Sequence, residues 1–131
     1  MKEILISVGG TEMYVSVNKK LEDMILQVYK RLNYRKYITA RKRGTKEKVA
    51  VDRIEMNADF FYALEDVFEE NGYYDVFQRY LDKQSEQRKQ VLYELFRDDK
   101  SVRYLVYVLG YEEKEVQEAI RDLFKFIKKQ V

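Results

Sequence analysis

Across residues 85–131 apolar positions recur at three- and four-residue steps, in three blocks separated by polar breaks. Val91, Leu92, Leu95 and Phe96 form the first block, and Val102, Leu105, Val106 and Leu109 the second. Val116, Ala119, Ile120, Leu123, Phe124 and Ile127 form the third. This is the period of a helix that buries one face, so three consecutive helices are predicted. Ser101, after Asp98-Asp99-Lys100, can accept a hydrogen bond from a free backbone N–H of the second helix. Gly110 ends that helix where left-handed backbone is wanted, and Val116 and Ile120 then face back onto Leu105 and Leu109. Blocks two and three read as a helix-turn-helix whose second helix is the recognition helix.

Upstream, residues 3–8 and 12–17 are rich in β-branched and partly alternating positions, and Gly9-Gly10 between them signals a tight hairpin. A lone hairpin is marginal in water, so it must pack on the helix that follows. That helix offers Leu21, Met24, Ile25, Val28 and Leu32 on one face, with Asn18 as its N-cap, although Lys19 and Lys20 oppose the macrodipole. Residues 49–54 read as a short extended connector. Asn57 or Asp59 then caps a helix through Phe60, Phe61, Leu64, Val67 and Phe68, which Asn71-Gly72 closes. A further helical block, Tyr73, Tyr74, Val76, Phe77, Tyr80 and Leu81, leads to Ser85. The expected fold is mostly α: a short N-terminal β-hairpin packed on a basic helix, then a helical bundle ending in a helix-turn-helix. It divides into a hairpin and basic helix (1–54), an acidic aromatic connector (55–84) and the helix-turn-helix (85–131).

The run QRKQVLYELFRDDKSVRYLVYVLGYEEKEVQEAIRDLFKFIKK resembles region four of bacterial sigma factors. It is especially similar to small sigma-factor-like proteins of phages and mobile elements in Gram-positive bacteria. The match rests on Glu86, Arg88, Val91, Leu92, Ser101, Leu109, Gly110, Val116 and Ile120. The strand, glycine turn, strand and tyrosine- and arginine-rich helix of residues 1–43 are similar in order and type to the start of such proteins. Two departures stand out. Val106 occupies a place usually held by alanine, and Glu112, Glu113, Glu115 and Glu118 crowd the start of the recognition helix. The resemblance implies a transcription regulator that reads a promoter element or docks on RNA polymerase, encoded by a phage or mobile element.

Charge adds a direction to this pattern. The net charge of +2 hides a division: residues 1–54 carry 13 Lys/Arg against 6 Asp/Glu, and residues 55–131 carry 12 against 17. Residues 29–48 alone hold nine Lys/Arg against one acid, Glu47, with Tyr29, Tyr34 and Tyr37 interleaved. Such a surface suits phosphates, because each one neutralised releases a counterion. A solvated helix face of snorkelling side chains is the plainer alternative. The expected DNA contacts are Lys30, Arg31, Arg35, Lys36, Arg41, Lys42, Arg43 and Lys46, joined on the recognition helix by Lys114, Gln117, Arg121 and Lys125. Gln117 can read adenine and Arg121 guanine or phosphate, while Glu112, Glu113 or Glu118 could accept from cytosine.

Composition narrows the chemistry. The 131 residues contain no Cys, no His and no Pro. Disulfides, thiolate catalysis and the commonest metal ligand are excluded, and long helices are favoured. The acids are scattered along helix exteriors and no Gly-rich phosphate loop is present, so neither an enzyme nor a cofactor or metal site is expected. No apolar run approaches the ~20 residues that span a bilayer, and Met1 to Gly10 is too short for a leader, so a cytoplasmic protein is expected. The central aromatics either cement the N-terminal part to the helix-turn-helix or form a protein interface. The rival function is accordingly a protein-binding adaptor or inhibitor, of RNA polymerase or a host defence factor, with a degenerate helix-turn-helix. Replacing Arg41, Lys42 and Arg43 with alanine is expected to flatten the salt dependence of DNA affinity by up to about three in log–log slope. Anisotropy titrations of a DNA duplex at several salt concentrations measure it, and an unchanged slope removes these residues from the interface.

Overall fold

The computed structural model of the protein describes residues 2–32 and 53–131. The chain opens with β1 (Lys2–Val8) and β2 (Thr11–Val17), an antiparallel pair in which Ile6 faces Met13 and Val8 faces Thr11. Gly9 and Gly10 turn between them with φ of +55° and +82°. That is the pair of left-handed residues a two-residue hairpin needs to match the strand twist. Alternation then places Ile6, Val8, Met13, Val15 and Val17 on the buried face.

A third strand, β3 (Ile54–Glu55), lies parallel to β1 on its other side, with Ile54 beside Ile6. The Met56 N–H continues the ladder by donating to the Ser7 carbonyl at 2.9 Å. Ile54 is therefore not part of an unpaired connector: it is buried, and pairing with β1 satisfies backbone groups that burial would otherwise orphan. Residues 49–52 of the expected connector lie outside the described residues.

Between β2 and β3 runs α1 (Lys19–Leu32), capped where expected: the Asn18 side-chain oxygen accepts from the Leu21 N–H at 2.8 Å. Leu21, Met24, Ile25 and Val28 are buried, as the 3.6-residue period demands. Leu32, expected on the same face, is instead half-exposed, because it lies one turn beyond Val28 at the last position of the helix.

Packed against α1 is α2 (Ala58–Glu70). Asn57 is its cap, accepting from the Phe60 N–H at 3.0 Å, while Asp59 sits in the first turn where its charge complements the helix dipole. Gly72, at φ +84°, turns the chain so that the Tyr73 N–H donates to the Phe68 carbonyl at 2.9 Å. Helix α3 (Val76–Leu81) starts later than the periodicity of Tyr73 and Tyr74 suggests. The reason is Asp75, which is left-handed at φ 54° and breaks the helical path. Tyr73 leaves the block to take a hydrogen bond from the Lys20 ammonium, and Tyr74 is exposed.

The last three helices are α4 (Glu86–Phe96), α5 (Val102–Tyr107) and α6 (Glu113–Gln130). Ser85 caps α4 through the Arg88 N–H and Ser101 caps α5 through the Tyr104 N–H, at 3.2 and 2.9 Å. After α5, Gly110 at φ +80° lets the Tyr111 N–H return to the Leu105 carbonyl at 3.0 Å. Val116 and Ile120 are fully buried, whereas Leu109 packs on the core only partly exposed at its edge. No described helix is long and apolar enough to cross a membrane.

One hydrophobic core draws on the sheet and on all six described helices. Phe61 of α2 is its aromatic hub, with ring centroids 5.5 Å from Phe77 of α3 and 4.0 Å from Phe96 of α4. Helix α6 lies along β2, where the Asn18 side-chain amide donates to the Lys128 carbonyl at 2.9 Å. The α4–α5 turn meets the other end of the sheet. There the Val102 N–H donates to the Gly9 carbonyl at 2.9 Å, and Asp99 accepts from the Ala58 N–H at 2.7 Å.

A β-carbon on Gly9 would stand 2.9 Å from the Val102 nitrogen and 3.0 Å from a Leu95 methyl, whereas one on Gly10 or Gly110 would meet nothing. Gly10→Ala and Gly110→Ala are each expected to destabilise by about 1 kcal/mol, the left-handed backbone term alone. Gly9→Ala adds overpacking and is expected to destabilise by roughly 2–4 kcal/mol. Urea melts of the three variants check the order, and equal losses would refute the close approach.

Candidate nucleic-acid interface

Helix α6 buries Val116, Ala119, Ile120, Leu123, Phe124 and Ile127 on one face. The opposite face carries Lys114, Gln117, Arg121 and Lys125, which follow one another at three- and four-residue steps and so form a single row. The row is about 16 Å long, from eleven residues at the helical rise. Lys114, Arg121 and Lys125 are exposed, and among the described residues none of the three is in an ion pair. Gln117 is half-buried, with its amide donating weakly to Glu113 at 3.4 Å.

Glu118 falls within the same row, and Glu112, Glu113 and Glu115 surround its start. Glu113 and Glu115 occupy the first turn of α6 and Lys128 and Lys129 its last. Both ends complement the helix dipole, which gives the glutamates a role in helix stability independent of any ligand. Asp122, on the flank, is paired across to α4. The Arg88 guanidinium of α4 donates to it at 3.0 Å and ties the two helices together. Burial works against the Arg88 charge, but its bonds to Asp122 and to the Tyr80 hydroxyl outweigh that and hold it above its ordinary pKa.

The basic N-terminal residues divide. Lys30 is exposed at the end of α1. Arg31 grips Glu70 at the end of α2 with both guanidinium nitrogens, one bond measuring 3.0 Å. That bond raises the Arg31 pKa and lowers that of Glu70, and it links the end of α1 to the end of α2 at the surface. Arg35, Lys36, Arg41, Lys42, Arg43 and Lys46 lie outside the described residues.

A set of cations unforeseen from the sequence runs from the end of α4 into the start of α5. Arg97 lies over the Tyr93 ring at 4.6 Å, Lys100 over Tyr104 at 5.0 Å and Arg103 over Tyr107 at 5.7 Å. Each cation is four residues from its ring, so all three contacts are local. Tyr107 is 79% exposed and Val108 follows it at 65%. The signal was the Arg97, Lys100, Arg103 spacing of three, with tyrosines four away. It was hidden because Asp98 and Asp99 make the same stretch look like a plain polar turn. Chemically, a guanidinium resting on a ring is pre-positioned and still presents its outer N–H groups to a phosphate.

Set against protein-family models, curated proteins and solved structures, the chain finds no match in any of the three.

Proposed function

We propose that the protein is a small, sigma-factor-like DNA-binding transcription regulator, in which α5 and α6 act as a helix-turn-helix. The observation that carries this reading is the row Lys114, Gln117, Arg121 and Lys125 on the outward face of α6, opposite its buried face. A helix of about 10–12 Å diameter fits the major groove, which is about 12 Å wide. In that pose Gln117 faces base edges, Arg121 and Lys125 reach guanine or phosphate, and Arg103 and Lys100 at the start of α5 approach the flanking backbone. The turn chemistry supports the arrangement, since Gly110 is left-handed and Ser101 caps α5.

The glutamates at the start of α6 favour a second reading, the protein-binding adaptor, because carboxylates facing phosphates oppose binding. Fluorescence anisotropy of a mixed-sequence DNA duplex separates the two. The expected result is micromolar or tighter binding that weakens steeply with salt. The double variant Arg121→Ala/Lys125→Ala is expected to reduce the log–log salt slope by about two. Absence of binding at low salt would give the surface to a protein partner instead.

A further inference from the structure

A groove crosses α2, α3 and α4 on a part of the molecule separate from the row on α6. Its apolar half is floored by Phe61, Phe77, Leu81, Leu92, Phe96 and Leu123 and holds about 40 Å³, room for the end of one aliphatic side chain. Tyr62, 53% exposed, and Tyr93 stand on its rim. The adjoining half, about 190 Å³, is polar and is bordered by Glu65, Glu69, Asp75 and Gln78. Glu65, Phe77 and Arg97 line both halves, so the two are continuous. Three carboxylates thus face one cation among the lining residues, and Arg97 is itself stacked on Tyr93. Burial raises the pKa of Glu65, with Arg97 opposing and Glu69, Asp66 and Asp75 adding to the rise. Among the described residues the negative field there is only partly balanced.

We propose that this groove is a docking site for a peptide segment of another protein that carries a Lys or Arg within one helical turn of an aliphatic side chain. The aliphatic group enters the aromatic half beside Tyr62, and the cation crosses to Glu65, Glu69 and Asp75. Charge complementarity selects this occupant. A nucleic acid is repelled by the same three carboxylates, and a purely apolar segment would leave the polar half unfilled. The inference does not rest on DNA binding by α6, and its test is blind to that reading.

The test is anisotropy of a short fluorescein-labelled peptide of leucine and lysine, amphipathic as a helix, titrated with the full chain. Its leucine and glutamate counterpart is the control. The lysine peptide is expected to bind saturably and the glutamate peptide not at all. Glu65→Gln/Glu69→Gln is expected to weaken binding about tenfold, the effect of two partly exposed charge contacts. Tyr62→Ala, at the exposed rim, is expected to weaken it several-fold without unfolding the chain, which thermal melts verify. The double variant Glu113→Gln/Glu118→Gln on α6 is expected to leave affinity unchanged. Equal weakening by the α6 variant would reduce the effect to overall charge and overturn the proposal, as would full binding by Glu65→Gln/Glu69→Gln. Self-association of the wild type in sedimentation, lost in the Glu65/Glu69 variant, would assign the groove to a second copy of the chain and likewise overturn it.

Discussion

The approach of the hairpin tip to the α4–α5 turn is the constraint on which the rest of the structure depends. Gly9 must be left-handed to make the hairpin, and must lack a side chain to let Leu95 and Val102 come within contact. Its carbonyl then takes the first free N–H of α5, and Asp99 takes the first free N–H of α2. Two helix starts that would each leave orphan donors are satisfied by groups from distant segments. The sheet, α2 and the last three helices are thereby held in one register. The pairing of β3 with β1 adds a third tie beside the same turn.

Much of this could be read from the residues in order. The helical periods of α1, α2, α4 and α6, the caps Asn18, Asn57 and Ser101, and the turn glycines 9, 72 and 110 are local chemistry, and local chemistry is written locally. What escaped is what depends on distant partners. Ile54 looks like any connector residue until β1 lies beside it. Tyr73 continues an apolar period until Asp75 adopts a left-handed conformation that no neighbour announces. Arg31 resembles every other cation of the basic stretch, and only the arrival of Glu70 at the end of α2 sets it apart. For the candidate interface, the row on α6 was legible because a helix converts spacing into a face. The stacked cations between the end of α4 and the start of α5 were masked by the acids interleaved with them.

Charge on this molecule serves two masters. On α6 the glutamates at one end and lysines at the other steady the helix dipole, and the outward row must work within that gradient. On α2 the acids are crowded: Asp59 helps the helix start, Glu70 holds Arg31, and Glu65 and Glu69 border a partly apolar groove. Uniform solubility needs none of this segregation. Sorting the acids by what each one touches separates those that hold the fold together from those left facing outward.

The long reach of the tie between Gly9 and Val102, and of Asn18 to Lys128, has a consequence for synthesis. A ribosome makes the hairpin well before α5 and α6, yet those helices carry the groups that fix its tip and its flank. Until they emerge, β2 lacks the helix that covers it and the hairpin remains marginal. The hairpin is thus made before the helices that complete it, so a chain stalled or truncated ahead of them would display exposed strand edges with nothing to cover them.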